Sequence, residues 1–245
     1  MTVQCESPQT QLSAFPLLTK NEFCRACDAF VSRVHAASPD GLQALGWRSL
    51  KWVPAEACLS ISKYVPALEA STLSESDDTQ ELLEDEDPEA RSRSIQSGPS
   101  HHHHVVHYDI ILSPTYQVPV MYMTIAGVAV VGPAGMDAIY RYLVPPQYGS
   151  SLRSSGVMGG ISFGVREHTL TGTLSSFSVS EREEQYHPVS GIPAYFVHPC
   201  NTANAMRDIV GDRNVGPEEY LLIWLGLVGN CVNLSIPSQL VATHV

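Results

Sequence analysis

The chain has 245 residues, of which 44% are hydrophobic and 16% are charged, so it is long enough to form one domain with insertions around a sizeable core. Its net charge of −11 is concentrated, because nine acidic residues and no basic residue lie between Glu75 and Glu89. No basic patch with interleaved aromatic residues occurs, which argues against a nucleic-acid partner.

The N-terminal segment 1–18 has no basic region followed by an apolar stretch, so we expect no secretory signal. The longest apolar block, Tyr220 to Val228, is far shorter than the roughly 18 residues that span a bilayer, so no stable membrane insertion is expected. Six cysteines without a secretory signal indicate free thiols in a reducing compartment. These features together predict a cytoplasmic protein.

Residues 17–37 predict an N-terminal helix, because their apolar residues recur at helical spacing and Thr19 or Asn21 can cap the first turn. A Cys24-x-x-Cys27 pair lies in this helix. Zinc sites need a second cysteine pair or a histidine pair, and a redox motif follows a strand. We therefore expect Cys27 to pack in the helix core.

Four segments predict strands. Residues 47–52 and 58–64 come first. Residues 107–112 and 120–125 follow, and the rigid bend 113–119 between them makes this pair the strongest hairpin signal in the chain.

Two insertions are expected in this domain. Residues 71–104 are mostly Ser, Asp, Glu, Pro and Gly, so they predict a disordered acidic insertion that is simply solvated or steers a basic partner. The run His101 to His104 ends it, and with His107 this run binds a metal only adventitiously, so no metal site and no cofactor are predicted. Residues 149–160 are expected to be loop, and 164–185 a further loop insertion.

The remaining segments predict helices. Residues 136–143 form a short helix that Pro145-Pro146 ends, and an apolar helix begins at Pro217 and must be buried. This order of elements predicts an α+β fold with an antiparallel β-meander, an N-terminal helix and C-terminal helices, in a single domain covering 1–245.

One cysteine lies where an extended segment runs into a helix. Tyr195-Phe196-Val197-His198-Pro199 leads into Cys200, and Ala203, Met206, Ile209 and Val210 follow at helical spacing. Backbone N–H groups and the helix dipole favour a thiolate at such a position, and the thiolate is the nucleophilic form of cysteine. The alternative is a buried structural cysteine, since free cysteines are often buried.

Three signatures in this order resemble the autophagy E2-like conjugating enzymes. They are Val197-His198-Pro199-Cys200-Asn201-Thr202, the upstream hairpin Ser113 to Tyr122, and the late block Tyr220 to Gly229. Thr202, Trp224 and the modest length are closer to the branch that joins a ubiquitin-like protein to another protein (the autophagy-related protein 10 type). The sister branch joins a ubiquitin-like protein to the lipid phosphatidylethanolamine.

The resemblance implies an E2-like core and a thioester at Cys200. In this scheme, Cys200 accepts a ubiquitin-like autophagy protein from an E1-like activating enzyme and passes it to a lysine of an acceptor protein during autophagosome formation. Transient recruitment to the sites where autophagosomes form is implied as well.

Three residues near Cys200 have candidate roles, of which the role of Tyr116 is implied by the resemblance and the roles of His198 and Asn201 follow from their positions. Ordinary ubiquitin-conjugating enzymes use a His-Pro-Asn motif to stabilise the oxyanion, and this chain has none. Tyr116, in the bend, is the candidate oxyanion donor or lysine orienter; the alternative is a tyrosine that only packs at the hairpin. His198 either deprotonates the thiol or organises the loop by a hydrogen bond. Thr202 or Asn201 is expected to cap the helix, and Asn201 is expected to serve as a cap rather than as a catalyst.

Two other classes of function stay open. A cysteine hydrolase that cuts ubiquitin-like tails would need Cys200 with a distant histidine and an Asn or Asp; His187, His168 and His35 are the available histidines. A non-catalytic adaptor on the same scaffold would bind partners without any covalent step.

Overall fold

The computed structural model describes residues 11–66, 103–128, 133–154, 160–163 and 187–242. Within these ranges the α-helices are α1 (Lys20–Ala37), α2 (Pro133–Tyr142), α3 (Pro146–Ser154), α4 (Thr202–Val210), α5 (Pro217–Val228) and α6 (Ser238–Val241). The strands are β1 (Ser49–Val53), β2 (Cys58–Pro66), β3 (His103–Leu112), β4 (Pro119–Ile125), β5 (Ile161–Phe163) and β6 (Tyr195–Val197). Short 3-10 turns lie at Leu42–Leu45, Pro199–Asn201 and Gly229–Val232.

The strands form one antiparallel sheet in the order β1-β2-β3-β4-β6-β5. The first four strands make the predicted meander, and β6 joins β4 through only two residue pairs. The register aligns Ser60, Asp109, Tyr122 and Phe196 in one row across four adjacent strands. The predicted α+β class, with an N-terminal helix and C-terminal helices, is confirmed.

The two faces of the sheet have different partners, because side chains alternate between faces along each strand. One face, with residues such as Leu59, Tyr108 and Met121, belongs to the main core that it shares with the helices. The other face, which we call the second face, carries a smaller apolar cluster of Cys58, Ile111, Val120, Tyr122, Ala194 and Phe196. The candidate site lies at the end of this second face.

Helix α1 begins where its sequence predicts a cap. The Thr19 side chain accepts the backbone N–H of Glu22, and the Glu22 carboxylate accepts the backbone N–H of Thr19 at 2.8 Å, which is the reciprocal capping box. Glu22 also accepts the N–H of Ser13 at 2.7 Å, so it ties the preceding arm to the helix. Cys27 is fully buried in the core, as expected.

Helix α5 packs against α1 and encloses the core from the C-terminal side. Pro217 opens it with Glu218 and Glu219 in the first turn, in agreement with the sequence pattern. Tyr220 and Trp224 are fully buried, and the Tyr220 hydroxyl donates to the carbonyl of Pro16 at 2.6 Å. The segment before α1 is therefore held at two points, at Ser13 by Glu22 and at Pro16 by Tyr220.

The structure differs from two sequence predictions about the middle of the chain, one for residues 149–160 and one for the end of the acidic insertion. Residues 149–160 were expected to be loop, but α3 covers 146–154, because proline fits the first turn of a helix and Leu152 reaches the core. The acidic insertion was expected to reach His104, but β3 begins at His103 and pairs with β2. The rest of that insertion and the insertion at 164–185 lie outside the described residues.

None of the helices in the described ranges is long and apolar enough to cross a membrane. Over the same ranges, no cluster of three or more His, Cys, Asp or Glu side chains is arranged to hold a metal ion.

Candidate active site

Cys200 lies in the 3-10 turn Pro199–Asn201, between β6 and α4. The structure therefore places it at the junction of strand and helix that the sequence predicts. Its thiol is free, and the residue is half-buried rather than enclosed in the core. Buried Thr202 and Met206 fix the following helix against the core.

His198 organises this turn through its backbone and its ring. Its N–H donates to the carbonyl of Gly160 at 3.1 Å, which extends the pairing beyond β6. Its Nδ1 accepts the backbone N–H of Cys200 at 3.3 Å. Because Nδ1 is engaged by the backbone, this contact supports the loop-organising alternative, and a proton taken from the thiol would have to go to Nε2.

Tyr116 reaches the same place from the β3–β4 hairpin. Its N–H donates to Ser113 Oγ at 3.0 Å, and the following residue, Gln117, has a positive φ of 55°, so the bend is tightly turned. The Tyr116 ring stands edge-on to the His198 ring with centroids 5.7 Å apart. The bend is held in place by the N–H of Leu18, which donates to the Gln117 carbonyl at 2.7 Å.

The structure thus brings Tyr116, His198 and Cys200 together from distant parts of the sequence. It does not give Asn201 the expected role. Asn201 occupies the cap position of α4, but its side chain is exposed and makes no capping hydrogen bond, so the cap prediction is wrong. The reason is that Asn201 ends the 3-10 turn Pro199–Asn201 with helical backbone angles (φ −106°, ψ −3°), whereas a capping residue is extended; His198, which is extended, caps the turn instead.

Three other cysteines in the described ranges, Cys27, Cys58 and Cys231, are disfavoured as nucleophiles. Burial raises the pKa of Cys27 and of Cys231 above the ordinary value. Burial, together with the nearby Asp109 carboxylate, raises the pKa of Cys58 to about 11. A thiol that stays protonated does not attack an ester or thioester, so these three are structural.

The second face holds a polar network that sequence reasoning missed. Asp109, in the middle of β3, accepts a hydrogen bond from the Ser60 hydroxyl and lies 2.9 Å from Nε2 of His187. Burial alone would raise the pKa of Asp109, but the contacts with His187 and Ser60 outweigh it and hold the pKa below its ordinary value. A single acidic residue within the apolar strand pattern was the available signal.

This network bears on the hydrolase alternative. His187 was one candidate partner for Cys200, but Nε2 of its ring contacts Asp109, and Nδ1 accepts the N–H of Ser190 at 3.1 Å. Both nitrogens are engaged, so His187 has none to offer a thiol. His35 is exposed in the last turn of α1, and His168 lies outside the described residues.

A cleft of about 690 Å³ lies between α2, α3 and Asn233. Arg141 and Arg153 are on its wall, but Tyr116, His198 and Cys200 are not among its lining residues. The cleft therefore belongs to another part of the surface than the candidate site.

Comparison with known proteins gives one family and several relatives. The family model described as "Autophagocytosis associated protein, active-site domain" matches residues 22–239. The ubiquitin-like-conjugating enzyme ATG10 of Gibberella zeae is 36% identical over 137 residues, which are 56% of this chain and 48% of that protein. The proteins of the same name from Dictyostelium discoideum and Homo sapiens are 28% and 25% identical, over 57% and 53% of this chain and 55% and 49% of their own lengths. The chain thus spans about half the length of the curated relatives it matches.

Proposed function

The chain belongs to this family of autophagocytosis-associated active-site domains, and on that premise we propose that it is an E2-like conjugating enzyme that carries a ubiquitin-like protein on Cys200. The observation that carries the proposal is the half-buried Cys200 thiol in the turn between β6 and α4, beside the Tyr116–His198 ring pair. The extent of the family match and the name shared by the relatives support it.

The first proposed step is thioester exchange. The Cys200 thiolate attacks the carbonyl carbon of the thioester between an E1-like enzyme and the C-terminal glycine of a ubiquitin-like autophagy protein. A new C–S bond forms, the old C–S bond breaks, and the cysteine of the activating enzyme leaves as a thiolate. One thioester replaces another, so the step needs nucleophilicity and access rather than an energy source.

The second proposed step joins the cargo to a lysine of an acceptor protein. The lysine ammonium first loses one proton, and the neutral amine attacks the same carbonyl carbon. An amide C–N bond forms, the C–S bond to Cys200 breaks, and the second proton that the nitrogen gives up ends on the departing thiolate or in solvent. The tetrahedral intermediate carries negative charge on oxygen and is stabilised by a hydrogen-bond donor. The Tyr116 hydroxyl is the proposed donor or lysine orienter, and His198 is proposed to hold the Cys200 turn in place.

The proposed setting is the cytoplasm, with transient recruitment to sites of autophagosome formation. The proposed partners are the ubiquitin-like protein, its E1-like enzyme and the acceptor protein. No nucleic acid and no membrane insertion belong to the proposal.

A charging assay tests the proposal. The protein is incubated with the E1-like enzyme, ATP and the ubiquitin-like protein, and the products are separated without reductant. We expect an adduct that dithiothreitol removes, that Cys200→Ala abolishes, and that Cys200→Ser converts to a more stable ester. Cys24→Ala is the matched control, because Cys24 is also only partly buried and should charge normally.

Three outcomes contradict the proposal in different ways. Absence of a covalent adduct with the wild-type protein indicates an adaptor. Release of a shortened ubiquitin-like protein indicates a hydrolase. Transfer to phosphatidylethanolamine in vesicles, and not to any protein acceptor, assigns the chain to the lipid-joining branch.

A further inference from the structure

Asp109 and His187 form a partly buried polar contact that the proposed chemistry does not use. His187 is 5% exposed, and its Nε2 lies 2.9 Å from the Asp109 carboxylate. Its Nδ1 accepts the N–H of Ser190, so Nδ1 carries no proton and Nε2–H is the donor to Asp109. The other carboxylate oxygen accepts the Ser60 hydroxyl, which fixes Asp109 from the β2 side.

This contact stands at the entry to β6. His187 begins a closed turn, in which its carbonyl accepts the N–H of Gly191 at 2.8 Å and its N–H donates to the Ile192 carbonyl at 3.1 Å. Strand β6 follows within a few residues and pairs with β4 at only two positions. On its other side β6 pairs with β5, itself only three residues long, at three positions. Strands this short contribute little stability of their own, so the turn before β6 helps to set its position.

A continuous series of contacts leads from His187 to the nucleophile. The His187 ring stands edge-on to Tyr122 at 5.3 Å, and Tyr122 packs on Phe196 at 5.7 Å. Phe196 in turn lies 6.2 Å from the His198 ring, whose Nδ1 accepts the N–H of Cys200. Aromatic pairs at these separations favour defined relative orientations.

We propose that the Asp109–His187 pair is a positioning device for Cys200. It fixes the entry of β6 on the second face and so holds the Cys200 turn in the geometry that thioester exchange requires. The kinetic part of this inference rests on the proposed function, whereas its structural part does not.

Two variants at His187 separate the contact with Asp109 from the contact with Ser190 in the turn. In His187→Gln the amide nitrogen takes the place of Nε2 and keeps a donor for Asp109, but the acceptor for Ser190 is lost. In His187→Asn the amide oxygen takes the place of Nδ1 and keeps the turn, but the donor for Asp109 is lost. Val189→Ala, at an exposed position of the same turn, is the matched control.

We expect His187→Asn to increase amide hydrogen exchange across 195–198 about tenfold relative to wild type, whereas His187→Gln and Val189→Ala stay close to wild type. In single-turnover charging, the maximal rate of His187→Asn should fall about tenfold with the half-saturating concentration of charged E1-like enzyme unchanged, because misplacement of a reacting group slows the step itself. Asp109→Ala should match His187→Asn, and the double variant should be no worse than either one.

The opposite ranking, with His187→Gln impaired and His187→Asn normal, would show that the residue serves only its own turn. Lower thermal stability in both variants, with wild-type exchange over 195–198 and wild-type maximal rate, would reduce the pair to a contribution to folding. Either result overturns the proposal, and if Asp109→Ala does not fold, the His187 variants decide it. If the wild-type protein forms no adduct at all, the proposed function fails, and the exchange measurement still tests the positioning.

Discussion

Replacement of Glu22 by glutamine removes a carboxylate that holds the arm before α1. The side chain is 4% exposed and accepts hydrogen bonds from the N–H of Ser13 and from both the N–H and the hydroxyl of Thr19. Burial alone would raise the pKa of Glu22, but these hydrogen bonds outweigh it and lower the pKa from 4.5 to about 2. Glutamine has one oxygen acceptor and no charge, so it cannot replace all three bonds.

The magnitude follows from the shift. A lowering from 4.5 to about 2 corresponds to about 3 kcal/mol of folding free energy. Because the pKa is lower in the folded state, this contribution is complete above pH 4.5 and is lost as the pH falls from about 4.5 to about 2. We therefore expect Glu22→Gln to be about 3 kcal/mol less stable than wild type at pH 7 and nearly equal to it at pH 2.

Urea unfolding followed by tryptophan fluorescence, at several pH values between 7 and 2, measures this difference. Glu56→Gln is the control, because Glu56 is exposed and its loss should change stability by less than about 0.5 kcal/mol. A difference between Glu22→Gln and wild type that stays constant over the whole pH range would refute the reasoning, because an ionised carboxylate would then not be its source.

Three predictions concern the candidate site. Tyr116→Phe keeps the ring against His198 and removes the hydroxyl, so discharge to lysine should slow about tenfold while charging stays normal; equal rates of discharge would exclude the proposed role. His198→Asn keeps an acceptor for the Cys200 N–H and should charge within about threefold of wild type, whereas His198→Ala should be about tenfold slower; equal losses would instead favour a general base. Asn201→Ala should change the free energy of unfolding by less than about 0.5 kcal/mol in urea titrations, and a loss near 1 kcal/mol would restore the cap.

The parts of the fold that the sequence predicts well are those that depend on neighbouring residues. The Thr19 cap and the start of α5 at Pro217 are local features, and both lie where the pattern indicates. Pro146 illustrates the limit of such signals, because a proline after a helix can end that helix or open the next one. Here it opens α3, and only the burial of Leu152 in the core distinguishes the two.

Helical spacing shows which residues share one face of a helix, but it does not show how much of that face is buried. Ala203, Met206 and Ile209 follow Cys200 at the same spacing, yet Met206 is fully buried and Ile209 is 61% exposed. The spacing identifies a face of α4, whereas the length of that face that meets the core depends on how the helix crosses α5.

The candidate site also contains one part that the local sequence predicts and one part that it does not. Cys200 is prominent in the sequence because its strand, proline and helix are adjacent to it. The Asp109–His187 contact joins two residues far apart in the chain, and each looks ordinary in its own segment. Such a contact follows from strand order and register, which a single sequence does not specify.

The Tyr116–His198 contact also bears on how the protein is made. The hairpin that carries Tyr116 is synthesised before His198 and Cys200, and α1 gains its most extensive helix contact only when α5 has left the ribosome. A nascent chain that stalls before α5 would therefore present an uncovered α1 and an incomplete sheet, which are surfaces that chaperones bind. The arrangement of Tyr116, His198 and Cys200 should accordingly be completed only after α5 has been synthesised.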